Sequence, residues 1–96
     1  MHAVVNTLTF KDAVDRNLFA SVETDLVPAM RAVEGFVDIY IVQTGIDEIT
    51  LVILGVDADA LDRAATQVGS PWMVANVVPL LAGPPNRKVG PVLAAS

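Results

Sequence analysis

The spacing of apolar positions changes repeatedly along the chain, and each change marks an element. In HAVVNTLTF (residues 2–10), His2, Val4, Asn6, Leu8 and Phe10 share one side, while Ala3, Val5, Thr7 and Thr9 share the other. That alternation predicts a first strand. From Lys11 the period lengthens. Val14, Leu18, Val22 and Leu26 recur every fourth residue, and Phe19, Met30 and Val33 widen the stripe. An amphipathic helix follows, with Lys11, Asp12, Asp15, Arg16, Glu23 and Arg31 mostly outside. Pro28 has no N–H to donate, and its ring opposes the carbonyl four residues earlier. It should kink or break the helix near Thr24 and Asp25. Gly35 then ends the helix as a left-handed cap.

FVDIYIVQ and EITLVILGV read as two further strands, and the TGID between them supplies turn chemistry at Gly45 and Asp47. They form a hairpin. Strict alternation sets Val37, Ile39 and Ile41 on one side, with Phe36, Tyr40 and Val42 on the other. Asp57 or Asp59 caps a second helix, ADALDRAATQV, whose stripe is Ala58, Leu61, Ala64 or Ala65, and Val68. Gly69 is expected to stop it. Ser70 should cap a new turn with Pro71 at its first position, a place where proline costs nothing. This third helical piece runs to Leu81, strained or ended near Pro79. The last strand is RKVGPVLAA, with Pro91 at an edge or a bulge.

The order β-α-β-β-α-β predicts an α+β, ferredoxin-like domain spanning residues 1–96: one four-stranded antiparallel sheet with its helices on one face. The strands are apolar on both faces, so both faces need covers. The helices cover one face, and the sheet of a second protomer is expected on the other. Composition sharpens this. Hydrophobic residues make up 53% of the chain and charged residues only 18%. A domain this small cannot hide so much apolar surface alone. No apolar run reaches the roughly 18 residues of a membrane span, and the opening segment lacks the pattern of a signal peptide. A net charge of −5 provides no basic stripe for nucleic acid or anionic lipid. With no cysteine there are no disulfides or thiolate metal sites, and a cytoplasmic location is expected.

The join AVEGFVDIYIVQTG, the hairpin after it, and above all GSPWMVANVVPLLAGPPNRKVG give the chain a resemblance to the antibiotic-biosynthesis-monooxygenase-like domains of the dimeric α/β-barrel superfamily. Members carry a similar Ser-Pro-aromatic helix start and a similar Leu-Leu-Ala-Gly-Pro-Pro exit into the last strand. The resemblance implies a homodimer joined through its sheet faces. It also implies oxygenation of a small aromatic molecule, a quinol or polyketide-like phenol, without a cofactor. In haem-degrading relatives an asparagine on the first strand acts near the ligand, and Asn6 occupies a similar place. Those relatives also use a histidine of the second helical region as iron ligand. This chain's single histidine, His2, is on the wrong element, and Trp72 stands where many relatives carry a histidine.

A pocket in such a domain would lie between helices and sheet. The candidates for chemistry in it are Asn6, whose amide would polarise a carbonyl or position dioxygen; Trp72, a flat wall for an aromatic ring; and Tyr40, a donor to a quinone-like oxygen. Asn76, one turn after Trp72 and expected on the same inward face, would bind substrate together with Phe10 and Met73. Neither acidic cluster, DEI nor DADALD, has metal-site geometry, and there is no phosphate loop or nucleophile triad. A dimeric domain that binds a small aromatic or apolar molecule without transforming it is the competing reading. An enzyme needs a base within reach of its substrate, whereas a binder does not.

Overall fold

The computed structural model describes residues 1–96. Strands β1 (His2–Thr9), β2 (Phe36–Gly45), β3 (Glu48–Gly55) and β4 (Asn86–Pro91) form one antiparallel sheet in the order β2-β3-β1-β4. The ferredoxin-like order is therefore present, with β2 and β4 at the edges. Two helical segments, residues 16–31 and 58–80, cover one face. No helix is long and apolar enough to cross a membrane.

The first segment starts later than its periodicity predicts. Phe10 N donates to the Asp47 carbonyl (2.8 Å), Lys11 N to Leu80 (2.9 Å) and Val14 N to Ile46 (2.8 Å). These long-range bonds tie residues 10–14 to the β2–β3 turn and to the chain near Leu80, so tertiary pairing overrides the local pattern. The segment opens as a 3-10 turn, Arg16–Phe19, capped by Asp15, whose carboxylate accepts from Asn17 N at 2.9 Å.

Pro28 does not end this segment, and an irregularity does fall at Thr24 and Asp25. The turn ahead of it widens into a π turn, Val22–Leu26, in which Val27 N donates to the Val22 carbonyl. The next bond of that pattern would need an N–H at position 28, and the chain continues instead into α1 (Val27–Arg31). Gly35 adopts the expected left-handed conformation, φ +84°, but in the turn before β2, since α1 has already ended at Arg31 with Ala32 as its cap. A Cβ there would lie 2.7 Å from that of Ala60, so the position also lets the loop press against the second segment.

The second segment corrects two expectations. Gly69 does not stop it, and the Ser70 side chain caps nothing. The helix α2 (Ala58–Ala64), capped by Asp57 onto Ala60 N at 2.8 Å, passes through a second π turn, Ala65–Gly69, into α3 (Ser70–Asn76). Here too the widened turn absorbs a proline, Pro71, without ending the helix. A 3-10 turn, Val78–Leu80, follows, and Leu81 bridges back to Phe10. β4 is shorter than predicted. It ends at Pro91 on the edge, where a missing N–H is tolerated.

The strict alternation expected of β2 is interrupted by a register shift between Phe36 and Asp38. Such a bulge inserts one residue. Phe36 thereby joins Ile39 and Ile41 against the core, and Val37 is left exposed. Two apolar clusters result. One gathers Val4, Leu26, Met30, Leu51, Ile53 and Leu61, and the other gathers Leu8, Phe10, Ile49, Val77 and Leu81. Trp72 packs against both. The opposite sheet face has no cover within the chain. Tyr40, Val52 and Val5 are paired across it, and Val5, Tyr40 and Val42 are about half exposed, at 43%, 52% and 49%.

Candidate functional site

A cleft of about 610 Å³ opens between the first helical segment and β2. Nine of its twelve lining residues are hydrophobic, which suits an apolar guest. Phe19, Val22, Val27, Ile39, Ile41 and Ile49 supply most of that lining, while Arg16, Glu23 and Gln43 are its polar members, all exposed. The helical wall follows from spacing. Arg16, Ala20, Glu23 and Val27 fall at intervals of four, three and four, so they recur along one side of the segment. The side chains of Ile39 and Ile41 reach the cleft because the bulge at the start of β2 sets their register.

Beneath the cleft lies a second space of about 20 Å³, room for at most one water, walled by Trp72, Met73, Leu8, Met30 and Val77 among others. Phe19, Ile39, Ile41 and Ile49 line both spaces, so these four side chains separate them.

The six residues expected to form one site are distributed differently. Trp72 and Met73 line the inner space, and both are partly buried. Phe10 is 5% exposed and meets Phe19 edge-on, with ring centroids 6.5 Å apart, so it backs the cleft wall without lining the cleft. Asn6 is buried between the two apolar clusters, flanked on its strand face by Val4 and Leu8. Its Oδ1 is sealed from solvent with no hydrogen-bond partner, and Asn6 lines neither space. A buried acceptor left unpaired is costly, so this atom is a standing demand for a donor.

Tyr40 stands at the rim of the cleft, on the uncovered sheet face, where its hydroxyl donates to Asp38 Oδ2 at 2.7 Å. That bond, followed by the one from Ile39 N, holds the Asp38 carboxyl below its ordinary value, and Asp38 in turn raises the Tyr40 phenol. Asn76 does not share an inward face with Trp72. It is exposed, and its Nδ2 donates back to the Trp72 carbonyl at 2.9 Å, closing the end of α3. His2 lies at the far end of β1, its Nδ1 buried without a partner.

Sequence reasoning missed Arg16, Glu23 and Gln43. Their one signal was Pro28, which marks the irregular turn that lines the cleft with Val22 and Glu23. No group of three or more His, Cys, Asp or Glu side chains is placed to hold a metal ion.

No family model matches the chain, and no curated protein matches it in sequence. Solved structures do share its fold. A candidate antibiotic biosynthesis monooxygenase from Nitrosomonas europaea superposes with a TM-score of 0.80 at 11% identity, over 98% of this chain and 100% of that one. SnoaB, a cofactor-independent oxygenase from Streptomyces nogalater, gives 0.74 at 19% identity, over 98% and 94%. A candidate antibiotic biosynthesis monooxygenase from Caulobacter crescentus gives 0.76 at 21%, over 97% and 90%. The chain thus has the α+β ferredoxin-like fold of antibiotic-biosynthesis-monooxygenase-like proteins. A fold hosts many chemistries, so the reaction has to be argued from the site.

Proposed function

We propose that this chain is a cofactor-independent monooxygenase acting on a small aromatic molecule, a quinol or polyketide-like phenol, in the cleft between the first helical segment and β2. The observation that carries the reading is the cleft itself, large and apolar, in a fold shared with SnoaB. In this chemistry the substrate supplies the electrons. An activated C–H loses its proton, and the carbanion passes electrons to dioxygen one at a time. A C–O bond forms, the O–O bond breaks with release of one water, and a carbonyl remains. The chain's part is to exclude solvent around the ring and hold the anionic oxygen. Trp72 and Met73 sit below the ring's floor. The cleft's donors for that oxygen are Arg16 and Gln43, since the Tyr40 hydroxyl is engaged with Asp38 and Asn6 lies outside the cleft.

The carboxylate lining the cleft, Glu23, is exposed, so the cleft offers no base sheltered from solvent. Oxygen uptake with anthrone-like phenols and quinols should therefore rise with pH along the substrate's own ionisation, exceed the uncatalysed rate, and fall in Trp72→Ala. No uptake above background by the folded protein would remove the oxygenase reading. The same exposure of Glu23 favours a second reading, a binding domain for small aromatic molecules, which would hold the same compounds without consuming oxygen.

The chain is proposed to act as a homodimer with its uncovered sheet faces apposed. The apolar row of Tyr40, Val52 and Val5 supports this, since an exposed patch of that kind is costly in water. Sedimentation should give twice the chain mass, and Val5→Asp should give single chains. A monomeric wild type would refute the assembly.

A further inference from the structure

The polar groups of the cleft are arranged with one sign of charge at each end. Arg16 begins the first helical segment, fixed there by the Asp15 cap, and its Nε donates a long hydrogen bond of 3.4 Å to Gln43 Oε1 across the cleft mouth. Gln43 is itself anchored, its Nε2 donating to the Gly45 carbonyl at 3.1 Å. The guanidinium is thus tethered through one N–H to a neutral amide. That leaves its terminal nitrogens to donate and its charge to be matched from elsewhere. A guanidinium edge suits the two oxygens of a carboxylate, which it can bind in parallel. Glu23 lies seven residues on, two turns along the same wall, and also lines the cleft. A second anionic group at that end would be repelled. Between the two charges the walls are Phe19, Ala20, Ile39 and Ile41, all apolar.

Resting on the proposed cleft function, we infer that the ligand is a monoanionic aromatic carboxylate. Its ring lies against Phe19, Ile39 and Ile41, and its carboxylate is held at the mouth by Arg16, with Gln43 as the tether. Arg16 is then the residue that distinguishes an acid from its neutral analogue.

Calorimetric titration with 2-naphthoate and with 2-naphthamide separates the possibilities, since the two probes share a ring and differ in charge. Naphthoate should bind wild type about fivefold more tightly than naphthamide, the size of a partly exposed ion pair. That preference should shrink with added salt. Arg16→Gln should abolish that preference, and Arg16→Lys should keep part of it. Arg16 is exposed, so the thermal unfolding of Arg16→Gln should match wild type, which serves as the folding control. Equal affinity for both probes, or a preference that survives Arg16→Gln, would overturn the assignment of Arg16 and leave the cleft as the binding site. Failure of both probes to bind wild type would overturn this inference together with the cleft reading beneath it.

Discussion

Both helical segments place a π turn just ahead of a proline, Val22–Leu26 before Pro28 and Ala65–Gly69 before Pro71, and each proline is followed two residues later by a methionine, Met30 or Met73. The side chains carried on this shared backbone differ. After Pro28 comes Ala29, and the wall toward β2 alternates small and charged groups in Ala20, Glu23 and Arg16. After Pro71 comes Trp72, and no charged residue occurs between Arg63 and Arg87. Under the first segment the sheet is left with a cleft of about 610 Å³, whereas the space walled by Trp72 and Met73 shrinks to about 20 Å³. The same irregular turn therefore borders an open cleft in one segment and a filled space in the other. Side-chain bulk decides which, and a widened turn lets either choice coexist with a proline in mid-segment.

The two segments meet at Met30, 1% exposed, whose Cε lies 3.2 Å from where a Cβ on Gly69 would sit. Met30→Ala removes the side chain that joins them and should cost about 2–4 kcal/mol in denaturant unfolding, the largest effect among these tests. A loss well under 1 kcal/mol would show that the segments are not packed on one another as described.

The prolines test the comparison itself. Pro28→Ala restores a donor that lets an ordinary turn form to the Thr24 carbonyl, and stability should change by no more than about 1 kcal/mol. Its effect should appear in the cleft, as weaker 2-naphthamide binding. Pro71→Ala should leave that binding alone. Equal effects from the two variants would mean that the first π turn does not shape the cleft.

The smallest expected effect lies on the reverse side of β2. Asp38 is held below its ordinary value, so its contribution is present above that value and fades as pH falls through the lowered one. Tyr40 is raised, so its contribution is present below the ordinary phenol value of 10.0 and fades as pH rises through the raised one. Tyr40 is the chain's single tyrosine, so absorbance near 295 nm reads it directly. Its midpoint should lie above 10 and return toward it in Asp38→Asn. An unshifted wild-type midpoint would sink the pairing.

The succession of elements along the chain, the hairpin, the left-handed Gly35 and a helix cap at Asp57 or Asp59 were legible in the sequence, because each is written in residues near one another. The structure places the cap at Asp57. The apolar second sheet face was legible too, from strands with no polar side. What escaped was set by distant partners. Residues 11–15 read as helix until Lys11 N is seen bonded to Leu80 and Val14 N to Ile46. Asn76 shares Trp72's spacing, yet α3 ends at that residue and its amide turns back onto the backbone. A bulge of one residue moved Phe36 inward and Val37 outward, and no local pattern announces a bulge. Sequence alone placed Trp72 in the layer between helices and sheet, though it lines the inner space and not the cleft. It missed the Arg16–Gln43 mouth, since exposed charges look alike before their surroundings are known.

β1 occupies the interior of the sheet between β3 and β4, so residues 2–7 pair with residues 86–91. Nearly the whole chain must be closed into a loop before that ladder can form. The entropy of such closure falls on the search for the native state, so refolding is expected on the slower millisecond-to-second scale of domains dominated by long-range contacts. On the ribosome β1 would emerge first and wait with one edge bare until the segment after α3 arrives, and only then would Phe10 and Leu81 join the two ends.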